Sequence, residues 1–201
     1  MEKFAVIDTE TNWNNEVMSI GVVVADAKSF DLIDKKYYII APEYLKGGMF
    51  FNALRDVDSK LIIECNRANA IANLVDWFEK HGVISLYAYN ATFDYSHLPE
   101  LSMFRWFDIM RLAAYRQYNP KIKEADCCRT GRLIRNYGVE SILKLLNGDE
   151  RYCETHNALN DAADELLIMK LLQHSPEEYI ELEKSRRCQA LNEAAVSESD
   201  K

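Results

Sequence analysis

The beginning of the chain alternates between short apolar runs and polar turns. Three runs rich in β-branched and aromatic residues, KFAVID (3–8), VMSIGVVVAD (17–26) and KKYYIIAP (35–42), are separated by segments of the length that joins neighbouring strands. Runs of this kind are typical of buried or half-buried β-strands. The pattern predicts an antiparallel meander of three strands.

The apolar spacing then changes to a helical period. Within 59–82, Ile71, Leu74 and Phe78 recur at three- and four-residue intervals, and Gly82 is a typical helix-ending residue, so the segment predicts a helix. Further predicted elements are a strand at 83–90, a helix, a strand (104–109) and a second helix within 92–118, and helices at 139–147 and 158–174.

The order of these elements indicates the fold class and the domain organisation. Strands that alternate with helices after a meander favour an α/β fold, with one mixed sheet flanked by helices. A length of 201 residues suits one such domain, which we expect to span 1–174. In SPEE (175–178) the serine, the proline and the last glutamate match a capping box, which predicts a C-terminal helix over 175–194. The polar remainder, 195–201, is typical of a disordered tail.

The composition argues against several classes of protein. A net charge of −8 and a pI of about 5.1 argue against a broad basic face that wraps duplex DNA. No apolar run approaches the roughly 18 to 20 residues that cross a bilayer, so we expect no membrane span. Five irregularly spaced cysteines, and a start without a secretory signal, fit a reducing compartment. We therefore expect a cytoplasmic protein.

Acidic side chains collect at the ends of predicted elements. Asp8 and Glu10 lie two positions apart at the end of the first strand, so both point to the same side of it. Asp94 follows a later strand, and Asp161 lies in the first turns of a late helix. Each acid also has an ordinary structural explanation, because acids are common at solvated strand ends, in loops and near helix N-termini.

Taken together, the four acids suggest a metal site. Carboxylates brought close together repel one another and lose solvation, and bound divalent cations would offset both costs. Hard oxygen ligands suit Mg²⁺ or Mn²⁺, and two such ions can hold the attacking and leaving oxygens of a phosphoryl displacement. His156, ahead of Asp161 in the chain, is the natural group to accept the proton of an attacking water at neutral pH.

Three motifs occur in an order that resembles the DEDDh 3′–5′ exonucleases. They are DTET with Asp8 and Glu10, NATFD with Asp94, and His156 five residues before Asp161. The resemblance, which covers about residues 4 to 172, implies a ribonuclease-H-like fold, whose mixed sheet combines a three-strand antiparallel meander with two parallel strands. It also implies two metal ions, Mg²⁺ or Mn²⁺. Asp8, Glu10 and Asp161 would hold the ion beside the attacking water, Asp8 would also bind the second ion, and Asp94 would reach that ion partly through water. His156 would be the general base.

Residues beside the acids are candidates for substrate contacts. Thr11 matches the turn that is usual in the family after the first motif, whereas Asn12 and Trp13 depart from it. This departure affects how a terminal base would be stacked. Trp13 and Phe93 are aromatic side chains of the kind that stack on bases, and Asn90 belongs to the second motif.

A basic cluster in an otherwise acidic chain is a second candidate for substrate contact. It lies within 121–138, and Arg129 and Arg132 are its predicted contacts with nucleic acid. The cluster could guide a phosphate backbone towards the metals, and the alternative is a solvated helix face. Its members are Lys121, Lys123, Arg129, Arg132 and Arg135.

Other conspicuous residues have ordinary structural explanations. A zinc site made of Cys127, Cys128, Cys153 and His156 does not fit the usual CxxC spacing, and His156 has the better use described above. Packing is the more common role of aromatic side chains, and isolated histidines are ordinary in surfaces and cores. On these grounds we expect structural roles for Asp108, Tyr115, His81, His97 and His174, whereas Phe50 and Phe51 could stack on bases, with packing in the core as their more common role.

The leading interpretation is a metal-dependent 3′–5′ exonuclease that releases nucleoside 5′-monophosphates from single-stranded DNA or RNA ends. A catalytically quiet nucleic-acid-binding or assembly module, and a two-metal hydrolase of small nucleotides, are the alternatives. The complete set of four acids and a base favours an enzyme, because a module without turnover has no physical reason to keep mutually repelling carboxylates. The sequence leaves open whether the substrate is DNA or RNA, and whether a protein partner or a homodimer is involved.

Overall fold

A seven-stranded mixed sheet organises the chain. The structure is a computed structural model, which describes residues 2–183 and residue 185. The strands are β1 (Lys3–Thr11), β2 (Val17–Asp26), β3 (Leu32–Ile40), β4 (Ile62–Cys65), β5 (Ser85–Ala88), β6 (Arg105–Asp108) and β7 (Ile180–Glu181). They lie in the order β4-β3-β2-β1-β5-β6-β7.

The pairing of the strands agrees with the predicted mixed sheet. β1, β2 and β3 form the antiparallel meander, and β5 and β6 continue the sheet in parallel from β1. The predicted sheet did not include β4, which pairs parallel with β3, or β7, which pairs antiparallel with β6. Every residue of β2 is buried, which explains why its sequence is an almost unbroken apolar run.

Helices cover both faces of the sheet. They are α1 (Arg67–His81), α2 (Thr92–His97), α3 (Met110–Ala113), α4 (Val139–Asn147) and α5 (Ala158–Leu172). Alternation along β1 sends Ile7 towards α1, where it joins Leu74 in one core. Val6 points to the opposite face and packs in a second core with Leu159 of α5. None of the helices in the described residues has the length and apolar character needed to cross a membrane.

The predicted helix over 59–82 is wrong in its first third. Residues 59–61 form a 3-10 turn and are followed directly by β4. The α-helix begins only after Asn66, whose side chain caps it by accepting the Asn69 N–H at 2.9 Å. The short apolar run of β4 merged with the apolar face of α1 in the sequence pattern. Asn66 was the signal that separates them.

The predicted C-terminal helix over 175–194 is also corrected in its described part. The capping box at Ser175 is present, but it starts only a 3-10 turn, Pro176–Glu178. Tyr179 then adopts extended dihedral angles and is buried, and β7 follows because its backbone pairs with β6. Helical geometry is described again at residues 183 and 185. The rest of this segment, and the predicted tail at 195–201, lie outside the described residues.

A glycine allows α5 to approach the sheet closely. Gly21 pairs with Asp8 across β2 and β1. A Cβ atom at Gly21 would collide with the backbone of Ala158 and Leu159, the first residues of α5. Because no side chain intervenes, the N-terminus of α5 rests on the sheet beside Asp8. This contact sets the distance between the acids of β1 and those of α5.

Candidate active site

The site begins at the end of β1. Asp8 and Glu10 have the same parity as Val6 and therefore face α5, as the alternation of the strand predicted. Thr9 points to the other face and is buried. Its hydroxyl donates a hydrogen bond of 2.7 Å to Oδ1 of Asp94.

Asp94 lies in the first turn of α2, directly after the turn that leaves β5. Its side chain is only 2% exposed. The turn is made by Asn90, whose φ of 61° is left-handed, a conformation that asparagine tolerates better than most residues. Asp108 accepts the backbone N–H of Asn90 at 3.2 Å and that of Met110 at 3.0 Å, which agrees with a structural role for Asp108.

The start of α5 supplies Asp161 and His156. The ligand atoms of Glu10, His156 and Asp161 lie within 4.8 Å of one another. Asn157, which the sequence analysis did not single out, caps α5 by accepting the Leu159 N–H at 3.1 Å. Its side-chain amide donates to Ala53 O at 2.8 Å, so the loop that carries His156 is fixed to the chain after β3.

Burial changes the protonation of these carboxyl groups. Burial first, and then the charges of Asp94 and Asp161, raise the pKa of Asp8 well above its ordinary value. Burial and the charge of Glu154 raise the pKa of Glu10 to about 8, and the same two causes raise that of Asp161 to about 8. Burial raises the pKa of Asp94 to about 7, although its hydrogen bond from Thr9 acts in the opposite direction. The metal-free site therefore favours partial protonation at neutral pH.

Two carboxylate oxygens in the site lack partners. Among the described residues, no group hydrogen-bonds the buried atoms Oδ2 of Asp8 and Oδ1 of Asp161. Buried acceptors without partners are costly, and divalent cations would satisfy them while neutralising the repulsion between the acids. The all-carboxylate donor set suits hard ions such as Mg²⁺ or Mn²⁺. The residues present thus fit the expected metals.

Two further acids belong to the surroundings of the site. Glu165 of α5 is 2% exposed and accepts the Tyr89 N–H at 3.0 Å. Burial, followed by the charges of Asp8 and Asp94, raises its pKa well above the ordinary value. The pKa of Glu154 is also raised, mainly by burial. Glu165 could have been found from the sequence, because it is an acid on the apolar face of a core helix. No sequence pattern distinguished Glu154.

A groove adjoins the acids and contains three of the predicted substrate contacts. Thr11, Trp13 and Phe93 line it, and its volume is about 370 Å³. Trp13 is 68% exposed and Phe93 is 39% exposed, so both aromatic faces are accessible. The other lining residues are Thr9, Glu10, Asn12, Met49 and Phe50.

The remaining predicted contacts lie elsewhere. The side chain of Arg132 lies over the Tyr137 ring, 5.1 Å from its centroid, and Arg129 is exposed in the turn before Gly131. Neither arginine lines the groove. Other members of the basic cluster, Lys121, Lys123 and Arg135, line a separate pocket of about 360 Å³. No member of the cluster forms an ion pair with a described residue.

The residues expected to be structural have partners within the fold. His81 contacts Asp34, His97 contacts the Phe93 carbonyl, and His174 contacts the Tyr118 carbonyl. In residues 2–183 and 185, no group of three or more potential ligands within 4.8 Å of one another includes a cysteine. The cysteine-based zinc alternative therefore has no support in the described part of the chain.

The fold is similar to that of solved 3′-exonucleases, one of them a DEDDh family member, and the mixed sheet flanked by helices agrees with the expected ribonuclease-H-like fold. One similar structure is the nuclease domain of 3′hExo, a DEDDh family member, bound to rAMP. It superimposes with a TM-score of 0.63 over 90% of this chain and 96% of that chain, at 15% sequence identity. The predicted fold class is thereby confirmed.

Two further solved structures share the fold. Exonuclease X in complex with 5′ overhanging duplex DNA gives a TM-score of 0.52, with 21% identity over 87% of this chain and 96% of that chain. The zinc-bound E. coli ExoI–ssDNA complex gives 0.59, with 15% identity over 86% of this chain but only 41% of that chain. At the level of sequence, no protein-family model and no curated protein matches.

Proposed function

We propose that this chain is a divalent-metal-dependent 3′–5′ exonuclease that releases nucleoside 5′-monophosphates from single-stranded ends. The observation that carries the proposal is that ligand atoms of Glu10, Asp161 and His156 lie within 4.8 Å of one another where β1 faces α5, with Asp8 near enough for the charges of Asp94 and Asp161 to raise its pKa. Asp94 joins them through Thr9. The unpartnered oxygens of Asp8 and Asp161 support a role in binding metal ions rather than in stabilising the fold.

The acids would divide two ions between them. Asp8, Glu10 and Asp161 would hold one ion, and Asp8 together with Asp94 would hold the other. When bound, the ions would polarise the scissile phosphodiester and stabilise the charge that develops on the attacking and leaving oxygens. Mg²⁺ and Mn²⁺ are the ions that this donor set favours.

His156 would take the proton from the attacking water. One of its ring nitrogens lies within 4.8 Å of a carboxylate oxygen of Glu10 and of one of Asp161. A water held by these two acids would therefore lie within reach of the imidazole. General bases of this kind typically contribute about 10² to 10⁴-fold to the rate.

The groove beside Glu10 would receive the terminal nucleotide. Trp13 and Phe93 offer accessible aromatic faces on which a base can stack, and stacking of this kind is worth roughly 1–3 kcal/mol per base. Thr11 lies between Glu10 and Trp13 in the chain and would contact the sugar or the phosphate. Asn90 is exposed at the turn before Asp94 and would contact the strand from the other side.

The basic cluster would bind the strand farther from its end. Arg129 and Arg132 are free of ion pairs with described residues, and so are the cations of the separate pocket, which leaves them available for phosphates. In the similar structures the bound molecules are rAMP, duplex DNA and ssDNA. For this chain, DNA and RNA ends are both proposed substrates.

The proposal extends to the setting of the enzyme. Residues 1–174 would form the catalytic domain, with β7 completing its sheet. The four described cysteines are all free thiols, which supports a reducing, cytoplasmic compartment. Besides nucleic acid, the proposed binding partners are another protein or a second copy of this chain.

The test uses single-stranded DNA and RNA oligonucleotides, labelled at either end, with Mg²⁺, Mn²⁺ or a chelator. We expect a metal-dependent ladder that shortens 5′-labelled strands stepwise, and immediate release of the mononucleotide from 3′-labelled strands. Internal fragments, or release from the 5′ end, would contradict the proposed polarity. Binding without cleavage would favour the quiet module, and hydrolysis of free nucleotides alone would favour the small-nucleotide hydrolase.

A further inference from the structure

Phe50 stacks face to face on the proposed general base. The ring centroids of Phe50 and His156 are 3.9 Å apart, and the ring planes differ by only 18°. Both side chains are half-buried. No hydrogen bond to the His156 imidazole comes from any of the described residues, so the stacked Phe50 ring is a restraint on its orientation.

The backbone at His156 makes such a restraint useful. Its φ of 53° lies in the left-handed region, which histidine adopts only uncommonly. Asn157 follows with extended angles and begins α5. The imidazole therefore projects from a sharp turn rather than from the helix itself. A ring on such a turn needs contacts from elsewhere to keep one orientation.

Phe50 belongs to a segment that is held at the start of α5. The 3-10 turn Phe51–Arg55 follows it directly. Asn157 donates its side-chain amide to Ala53 O at 2.8 Å, and the Tyr37 hydroxyl donates to Leu54 O at 2.8 Å. These bonds connect the turn to α5 and β3, and they fix the backbone that carries Phe50.

The segment that carries Phe50 also contacts the residues at the end of β1. The Asn12 side-chain amide donates to Glu43 O at 2.9 Å, and the Trp13 N–H donates to Gly47 O at 3.1 Å. A Cβ atom at Gly48 would lie only 2.8 Å from Thr11 O, so the two backbones are in close contact. We call residues 43–55 the bracing segment, because it spans from the acidic strand to the histidine loop.

We infer that Phe50 is a positioning residue, which holds the His156 imidazole in the orientation that takes the proton from water. This inference rests on the proposed nuclease function. Phe50 also lines the groove, so the competing assignment is a stacking contact with the terminal base. The two assignments differ in what they predict: a positioning residue changes kcat through His156, whereas a base contact changes KM.

The experiment compares Phe50→Leu with Phe51→Leu in the full chain on a labelled single-stranded oligonucleotide. Phe51 is a matched control, because it is the neighbouring residue, stacks on Tyr44 and does not line the groove. We expect Phe50→Leu to lower kcat by roughly threefold to tenfold, the range that corresponds to one aromatic pair, with KM changed less than about twofold. Phe50→Tyr keeps an aromatic ring and should retain the wild-type kcat. Phe51→Leu should have the kcat and KM of the wild type.

A double-mutant cycle tests whether Phe50 acts through His156. In a His156→Ala background, Phe50→Leu should cause no further loss of kcat, because the ring that it positions is absent. An equal loss in both backgrounds would overturn the inference, and so would a raised KM with unchanged kcat. Wild-type protein without nuclease activity, or His156→Ala at the wild-type rate, would instead overturn the proposed function.

A spectroscopic measurement keeps the inference testable if Phe50→Leu lowers stability. In histidine-labelled protein, the ring protons of His156, assigned with the His156→Ala variant, should be shifted upfield by the stacked Phe50 ring. The shift should persist in Phe50→Tyr and Phe51→Leu. Absence of an upfield shift in the wild type would show that the rings do not stack, and would overturn the inference without reference to activity.

Discussion

At the scale of single residues, the buried acids of the site lower the free energy of unfolding. Asp8 and Asp161 each have a buried oxygen that no described residue hydrogen-bonds, and burial raises the pKa of all four acids. Interactions that favoured the fold would have lowered these pKa values instead. The cost agrees with the proposed metal-binding role, because strain of this kind concentrates at functional sites.

Neutral replacements of the acids should separate activity from stability. We expect Asp8→Asn, Glu10→Gln, Asp94→Asn and Asp161→Asn each to remove nearly all hydrolysis. In chelator at pH 8, each should melt at the wild-type temperature or higher, because an ionisable group that resists burial is gone. Asp149→Asn, which changes an exposed acid outside the site, is the control for both measurements. Two or more variants with wild-type rates would exclude the two-metal proposal.

The residues that sequence reasoning found differ in kind from those it missed. Asp8, Glu10 and Asp161 belong to local motifs whose strand and helix positions can be read from the pattern. The role of Glu165 depends on Asp8 and Asp94, which come near it only in the folded chain, and Phe50 meets His156 because long-range hydrogen bonds, among them that from Asn157 to Ala53 O, hold the two segments together. Such contacts arise from tertiary packing, which no local pattern records.

At the scale of elements, the approach of α5 to β2 controls the geometry of the site. Gly21→Ala should lower the free energy of unfolding by about 1–3 kcal/mol, the usual cost of overpacking, and should also lower kcat, because α5 must move away from Asp8. Thermal unfolding and single-turnover rates would measure the two effects.

Gly138→Ala is the control for that substitution. A Cβ at Gly138 would meet nothing within 4 Å, and its φ of −75° suits any residue. This variant should keep the wild-type rate, and its loss of stability should be smaller than that of Gly21→Ala, because the only cost is that of alanine at the N-cap of α4. Unchanged stability and rate in Gly21→Ala would mean that α5 can shift without consequence for the acids.

The elements themselves were predictable where their patterns are long. The meander, α4 and α5 follow from sustained strand and helix periods, and the Gly148 ending of α4 was correct. β7 has only two residues, too few to establish a period, and the four-residue run of β4 merges with the apolar pattern of α1. Both exist because a neighbouring strand offers its edge, which is a property of the sheet and not of the segment.

At the scale of the whole molecule, the acids make metal-free stability depend on pH. The folded-state pKa values of Glu10 and Asp161 are about 8 and that of Asp94 about 7, against ordinary values near 4. Their contribution to stability is therefore fully present below about pH 4 and is lost as the pH rises through 7 to 8. In the presence of a chelator, the melting temperature should fall as the pH is raised from about 5.5 to about 8.5, a range that covers these pKa values.

Divalent ions should make the melting temperature rise with pH instead of falling, because they bind the ionised carboxylates. Melting curves with chelator and with Mg²⁺ or Mn²⁺, across the same pH range, would measure it. Asp161→Asn should show a flatter dependence in chelator. A wild-type melting temperature that rises with pH in chelator would contradict the assigned shifts.

The net charge of −8 limits how much nucleic acid the protein can hold. If the basic cluster neutralises two or three phosphates of a single strand, the slope of log affinity against log salt should be about −1.4 to −2.1. The enzyme should therefore release its substrate between cleavages. Binding by catalytically inactive Asp161→Asn across a salt series would measure the slope.

Charge reversal at Arg129 and Arg132 tests the source of that slope. It should weaken binding of short and long strands alike, whereas reversal at the distant Lys35 and Lys36 on β3 should not. A slope much steeper than about −4 would mean that more phosphates are contacted than the cluster can explain.

The order of the site along the chain also has a consequence in time. Asp8 and Glu10 lie in β1, whereas His156 and Asp161 are synthesised only after the six strands and four helices that precede α5 in the described chain. Until α5 docks on Gly21, a growing chain holds only part of the acidic set and lacks the base. The proposed nuclease activity therefore requires that α5 has been synthesised and has docked on Gly21.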